Sequence, residues 1–353
     1  MLRADTTGDP THAADRASPG VIAETGAAPR VIRGATVRAA GSGVNLLLAS
    51  TTAILLLRYL GVEDFGRYIT VMALIGIVSG VTDAGLTAVG ARELALHSPG
   101  EQRRRLLANL VAIRLTITPL GVIGATVFAL IAGYDETMVY GTILAGIGIV
   151  LVNAQATIMG SLLVELRIGA LTGLEVLRQL LSVVGIAALV AAGASLLPFF
   201  SVQVGVGATL LLLTPFIFGR RFVSVSDVEV TTARRLLRDT LPMAVGLAMG
   251  MIYFRALIIM MSLIATAVET GLFATSFRIF EVLVGIPTLV LTVALPLLAQ
   301  AGRDNAERLR HGLSRMTQLA LALAVGLVLL IAVVAEPMIE LIGGDEYADA
   351  APV

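Results

Sequence analysis

The sequence has no cysteine and no tryptophan, and all 25 of its basic residues are arginine. Without cysteine there is no disulfide framework, no thiolate metal site and no thiol nucleophile. Without lysine there is no Walker-type phosphate loop and no Schiff-base amine. Charge is scarce too: Asp, Glu, Lys and Arg make up 14% of the 353 residues, against 57% hydrophobic. A soluble domain carries about 25% charged residues. So little charge cannot cover the water-exposed surface of a chain this long, which excludes a soluble globular enzyme. The 25 basic residues are balanced by 25 acidic ones. No global field therefore steers a polyanion, and a nucleic-acid binder built on a basic face is excluded.

What the chain does have is long apolar runs. Residues 1–38 hold none and lack the h-region of a signal peptide, so they are expected to be a disordered cytoplasmic tail. Nine apolar segments follow, at roughly 40–60, 67–89, 105–132, 139–163, 173–194, 197–218, 240–264, 270–296 and 315–336. Each is long enough to span a hydrocarbon core, which takes about 20 helical residues. Short alternating strands are absent, which argues against an outer-membrane barrel. Pro119, Pro287 and Pro296 are candidate kinks or helix ends. A short turn near Ala191–Leu197 makes segments five and six a candidate hairpin. The Gly-rich stretch from Gly141 to Gly148 suits close helix packing, not phosphate binding.

The arginines predict an orientation. Nineteen fall in the tail and in alternate loops, two (Arg58 and Arg67) on the opposite side, and four (Arg114, Arg178, Arg255, Arg278) inside segments. By the positive-inside rule this puts the N-terminus in the cytoplasm of a multi-pass protein of the cytoplasmic (inner or plasma) membrane. The expected organisation is a first six-helix lobe over 39–218, a cytoplasmic inter-lobe loop over 219–239, and a partial second lobe of three helices over 240–353. The final Tyr347-to-Val353 stretch reads as the approach to a further helix, so the second lobe is expected to be cut short. The expected fold class is an all-α integral membrane protein, a polytopic helical bundle.

Several stretches carry a resemblance. Arg58-Tyr59-Leu60-Gly61-Val62-Glu63-Asp64-Phe65-Gly66-Arg67-Tyr68 is similar to an R-Y-L-G-x-x-x-F-G-x-Y signature. Asp83-Ala84-Gly85-Leu86, followed by Arg92-Glu93, is similar to D-x-G-L then R-E. Phe277-Arg278-Ile279-Phe280-Glu281 with Leu295-Pro296, and Gly343-Gly344-Asp345-Glu346-Tyr347, match later stretches of the same pattern. Together they resemble the polysaccharide biosynthesis, or oligosaccharide (O-antigen type) flippase, family of the MOP superfamily. The resemblance covers about 38–351 and implies a two-lobe transporter. It also implies a lipid-linked oligosaccharide substrate, membrane lipid as surroundings, and polysaccharide polymerase and glycosyltransferase machinery as partners. Two departures stand out. Tyr253-Phe254-Arg255-Ala256 has alanine where relatives often carry an acid, which leaves no carboxylate relay there. The family usually has twelve or more helices.

A charge at mid-membrane costs at least about 2.5–3.5 kcal/mol on insertion scales, so such residues are candidates by default. Arg255 lies roughly 14 Å, Arg278 roughly 12 Å and Arg114 roughly 14 Å from the nearer segment end, taking a rise of 1.5 Å per residue. Glu281 shares a helix face with Arg278. Arg114, Arg255, Arg278 and Glu281 are therefore the candidate substrate-binding set. Guanidinium is permanently charged and offers paired donors to phosphate oxygens, as a pyrophosphate-linked lipid requires. The alternative is an Arg278–Glu281 ion pair acting as glue between helices. Asp83 and Arg92 are a candidate gate or coupling pair, or an anchor for the helix end. Asn45, Asn153 and Gln155 are candidate sugar contacts, or interhelical hydrogen bonds. Arg178 and Glu175 are explained by snorkelling. His12, His97 and His311 show no metal-ligand spacing. No cofactor is expected beyond a coupling cation or proton at Glu281.

Four functions compete: a flippase for lipid-linked sugar, a cation-coupled drug or metabolite antiporter, a membrane-embedded enzyme, and a non-transporting relative that only binds the precursor. Several mid-span arginines favour the polyanionic substrate. The absence of an acidic pair or a large extramembrane loop disfavours the enzyme.

Overall fold

The computed structural model describes residues 27–83, 85–97, 100–164, 168–218, 228–278, 280–281 and 306–343. Among these the chain is helix joined by short turns, with no strand. The helices are α1 (Ala27–Asp83), α2 (Leu86–Leu96), α3 (Glu101–Ile131), α4 (Glu136–Val164), α5 (Ile168–Ala191), α6 (Leu196–Phe218) and α7 (Val230–Ile264). They are followed by α8 (267–278 and 280–281) and α9 (Ala306–Gly343). Seven described segments are long and apolar enough to cross a membrane. The protein is a polytopic all-α membrane protein.

The first of those segments, Ala40–Asp83, holds the first expected span and most of the second, joined through a kink at Gly61. Of the charged stretch that reads as a loop between them, residues 62–66 are already helical. Arg67 pairs with Glu63 and Asp64 at helical spacing, which removes the need for an open loop. Two helices meet at Gly61, at φ 68°, where a side chain would be strained. The expected span 270–296 lies mostly outside the described residues, as do Pro287 and Pro296. Pro119 sits inside a continuous α3 and does not end it.

Two expected boundaries move. α1 begins at Ala27, within the stretch expected to be a disordered tail, and Arg38 is tied to Glu175 of α5 at 2.9 Å. α7 begins at Val230, within the expected inter-lobe loop. Its N-terminal turns are held because Leu236 is buried in a cluster with Leu86, Leu94, Leu106 and Leu110. Apolar burial fixes a segment that composition alone marks as solvated.

The turns at one end share a design. After α3, Gly133 (φ 73°) donates its N–H to the Leu130 carbonyl, and the Tyr134 N–H bonds the Ala129 carbonyl. After α5, Gly193 (φ 66°) bonds Val190 and Ala194 bonds Leu189 in the same way. Both are glycine-terminated helix ends that satisfy the last carbonyls and reverse the chain at once. The α5–α6 hairpin is therefore real.

One cluster of the core packs α1 onto α4, α5 and α6 through Phe65, Tyr68, Phe199 and Phe200. A second packs the later half of α1 onto α3, α7 and α8 through Leu74, Ala129, Ile258 and Phe277. The Gly141–Gly148 stretch of α4 is used for close approach. A Cβ on Gly141 would lie 2.5 Å from Phe200, and one on Gly148 would lie 2.6 Å from Gln203.

Candidate functional site

The R-Y-L-G-x-x-x-F-G-x-Y stretch forms a joint at the end of the bundle that carries the α3–α4 and α5–α6 turns. The Tyr59 hydroxyl donates to the Ala194 carbonyl at 2.8 Å. Arg67 adds a third carboxylate, Asp135, at 3.2 Å, and Asp135 also accepts from the Met138 N–H at the start of α4. Tyr68 stacks on Phe200 at 5.3 Å between ring centroids. Gly66 meets α8 backbone to backbone: a Cβ there would lie 2.1 Å from the Ala267 carbonyl oxygen. The reverse contact is the same, since a Cβ on Gly271 would lie 2.1 Å from the Val62 carbonyl oxygen. At this end the Tyr134 hydroxyl also meets Ser262 Oγ at 2.6 Å, joining the α3–α4 turn to α7.

Inside this closure lies a cavity of about 390 Å³ between α1, α4, α5, α6, α7 and α8. Its walls are mixed. Phe65, Ile69, Met72 and Phe199 supply apolar surface, while Thr52, Ser79, Gln179, Ser182 and Gln203 supply hydrogen-bonding groups. Arg255 and Arg278 also line it. Glu281 holds both arginines. One carboxylate oxygen is 3.2 Å from Arg255 Nη1 and the other is 3.0 Å from Arg278 Nη1. The acid missing beside Arg255 in its own helix thus comes from α8. Two guanidinium groups against one carboxylate leave a single positive charge in excess. The Arg278 side chain is 44% exposed, so its remaining donors face the open space.

The structure does not bring Arg114 to this cavity. Arg114 is 3% exposed and ion-paired to Asp83, with the Thr87 hydroxyl 2.6 Å from its NH2. Its NH1 donates to the Asn153 carbonyl at 3.5 Å. Asp83 also accepts from the Thr87 hydroxyl at 2.5 Å. The expected Asp83–Arg92 pair is thus replaced by Asp83–Arg114, and Arg92 lies exposed on α2. The D-x-G-L stretch gains a physical meaning here: Asp83 ends α1 on Arg114, Gly85 at φ 83° turns the chain, and Leu86 buries itself at the start of α2.

The amides are dispersed. The Asn153 side chain joins Ser79 and Thr82 by long hydrogen bonds of 3.4 and 3.5 Å. That is an interhelical role, and Asn153 does not line the cavity that Ser79 borders. Gln155 lines a different cavity, described below. Asn45 has a buried side-chain oxygen with no described partner. Sequence reasoning missed Gln179 and Gln203. Each is a lone amide in an apolar span, the same signal that marks Asn153 and Gln155. Among the described residues no group of His, Asp and Glu could hold a metal ion.

The fold is a polytopic helical bundle with a mixed, charge-bearing cavity among α1, α4, α5, α6, α7 and α8. Two solved structures share the bundle fold. One is the crystal structure of a MATE mutant, with 16% identity, 91% of this chain and 77% of that chain covered, and a TM-score of 0.53. The other is the outward-facing conformation of a multidrug resistance MATE family transporter of the MOP superfamily, with 16% identity, the same coverage of 91% and 77%, and a TM-score of 0.54. No curated protein matches the chain. The family described as "Polysaccharide biosynthesis protein" matches residues 31–301, and the chain belongs to that family.

Proposed function

We propose that the protein is a flippase that moves lipid-linked oligosaccharide, a polyprenyl pyrophosphate bearing sugar, across the cytoplasmic membrane for cell-surface polysaccharide synthesis. The observation that carries the reading is the convergence of Arg255 and Arg278 on Glu281 in the wall of the 390 Å³ cavity. Family membership and the shared MATE-type fold support a transporter rather than an enzyme. The excess cation suits pyrophosphate, since arginine pairs with phosphate oxygens through two donors and never deprotonates. The hydroxyl and amide groups around it suit sugar hydroxyls. Glu281 tunes the two arginines and is the place for a coupling proton or cation. The lobes rock about the cavity so that it opens on alternate sides. The arginine distribution supports a cytoplasmic N-terminus. Glycosyltransferases would supply the substrate and a polymerase would consume it.

Arg114 has a different part in this reading. Paired with Asp83, it braces the α1–α2 joint and leaves substrate binding to Arg255 and Arg278. A cation-coupled drug antiporter fits less well, because a cationic drug would meet two arginines and one carboxylate.

The test is translocation of a fluorescent lipid-linked oligosaccharide in proteoliposomes containing the full chain. Arg255→Ala and Arg278→Ala are each expected to abolish flipping while membrane abundance stays at the wild-type level. Wild-type flipping by both would remove the model.

A further inference from the structure

The geometry points to a second site, separate from the Arg255–Arg278 cavity, that takes the phosphate head of an anionic lipid between α1, α2, α4 and α5. It does not depend on what the central cavity carries. A cavity of about 330 Å³ opens there, at the end opposite the glycine turns.

Its existence follows from where small residues fall. α1 and α5 touch tightly at Gly41, where a Cβ would lie 2.0 Å from Thr172 Cγ2. Next to that contact α4 presents Ala156 and Gly160, and a Cβ on Gly160 would meet nothing within 4 Å. The wall recedes where two side chains are missing. The floor left behind is apolar, made by Val152, Met159, Leu171 and Leu174.

The rim is cationic. Arg38 Nη1 donates to both carboxylate oxygens of Glu175, at 3.0 and 2.9 Å. Arg178 stands one turn further along α5, and among the described residues its guanidinium has no hydrogen-bond or ion-pair partner. Two arginines against one carboxylate leave one positive charge in excess. Gln155 is 5% exposed, lines the same space and has no described partner for its amide. A nearly buried amide and an unpaired guanidinium beside an apolar floor describe a site for an amphiphile. Its phosphate would meet Arg178 and Gln155, and its chain would cover the floor. A soluble anion would leave the floor bare, and a neutral lipid would leave Arg178 unmatched. Snorkelling alone accounts for Arg178, but not for the buried Gln155 or the hollow beneath it.

Two lipids share this chemistry: a bilayer phospholipid such as phosphatidylglycerol, and a polyprenyl pyrophosphate. The experiment measures retention of each by the full-length chain in neutral detergent, by native mass spectrometry, with diacylglycerol, which has no phosphate, as the neutral control. The pyrophosphate arm uses the Arg255→Ala, Arg278→Ala background, so that the central cavity does not contribute. Arg178→Ala is expected to weaken retention about tenfold, the worth of one charge-assisted hydrogen bond. Glu175→Gln removes the opposing charge and is expected to strengthen it. Diacylglycerol should respond to neither. A response from phosphatidylglycerol makes the occupant a bilayer lipid, and a response from the pyrophosphate alone makes it the carrier. Equal retention of both lipids by wild type and both variants overturns the proposal. If Arg178→Ala proves unstable, Glu175→Gln decides alone, and an unchanged retention overturns it.

Discussion

Gly76 of α1 lies directly under the Arg255 side chain of α7: a Cβ on Gly76 would be 3.2 Å from Arg255 Nε. The glycine is helical, so its value here is space rather than backbone freedom. It lets a guanidinium lie across the helix and reach Glu281 from the neighbouring helix. Gly76→Ala is expected to shift the guanidinium by a few tenths of an ångström and reduce flipping modestly. Gly76→Leu is expected to reproduce the flipping defect of Arg255→Ala at normal membrane abundance. Proteoliposome translocation with an immunoblot of the membrane fraction checks both.

The Arg114–Asp83 pair is lopsided in burial, with side chains 3% and 47% exposed. Removing the exposed partner leaves a buried cation unpaired, whereas removing the buried one leaves a carboxylate that water can reach. Asp83→Ala is therefore expected to destabilise by about 3 kcal/mol, the low end for breaking a buried pair. Arg114→Met, of similar length and uncharged, is expected to cost under about 1.5 kcal/mol, as a volume-conserving change does. Thermal unfolding of the detergent-solubilised variants should rank wild type, then Arg114→Met, then Asp83→Ala. The reverse order for the two variants would show that Asp83 is not the partner that Arg114 needs.

Thr266 and Glu269 cap the start of α8 reciprocally. The Thr266 N–H and hydroxyl donate to the Glu269 carboxylate at 2.8 and 2.9 Å, and the Glu269 N–H donates to Thr266 Oγ1 at 3.2 Å. The Thr266 backbone bond holds the Glu269 carboxyl below its ordinary value of 4.5. Because the folded value is depressed, the stabilisation is fully present above pH 4.5 and is lost as pH falls through the lowered value. Hydrogen exchange at Thr266, corrected for intrinsic rate, should be constant from pH 7 to 5 and rise below that. Glu269→Gln should remove the pH dependence. An exchange rate that climbs between pH 7 and 5 would mean another group controls this cap.

The Gly66–Gly271 contact joins α1 and α8 at the turn end. Gly66→Ala or Gly271→Ala would place a Cβ 2.1 Å from a carbonyl oxygen, a distance that backbone has to open to accept. Each is expected to bias the protein toward separation at this end. The absence of cysteine makes the measurement clean. Spin labels on Glu63→Cys and Val268→Cys, both exposed, should report a longer distance in either variant than in wild type. An unchanged distance would show that the joint yields elsewhere.

The membrane class was legible because hydropathy is a sum over many residues and tolerates local error. Arg255, Arg278 and Glu281 stand out in the sequence for a related reason: a charge far from either end of an apolar run is costly wherever its helix points. What the sequence could not show is azimuth. Arg114 and Arg255 sit at similar depths in their helices, yet one faces Asp83 and the other faces Glu281, and only helix rotation decides between them. The shortness of the turn between the first two spans was hidden because Glu63, Asp64 and Arg67 look solvated one at a time. Their pairing appears only once the helix is formed. The helical start of α7 was hidden for the converse reason. A single buried Leu236 anchors it within a stretch whose arginines dominate the composition.

Leu236 and the Gly66–Gly271 contact make the two ends of the bundle mechanically unlike. At the glycine end two bare backbones lie face to face, and the Tyr134–Ser262 hydrogen bond beside them is a polar tie that parting has to break. At the other end Leu236 sits as a peg in a socket of leucines, and extracting it gives up roughly 1.5–3 kcal/mol of apolar burial. One end is a hinge plate and the other a snap fastener. The alternating-access cycle proposed above would therefore work against different kinds of resistance on its two strokes.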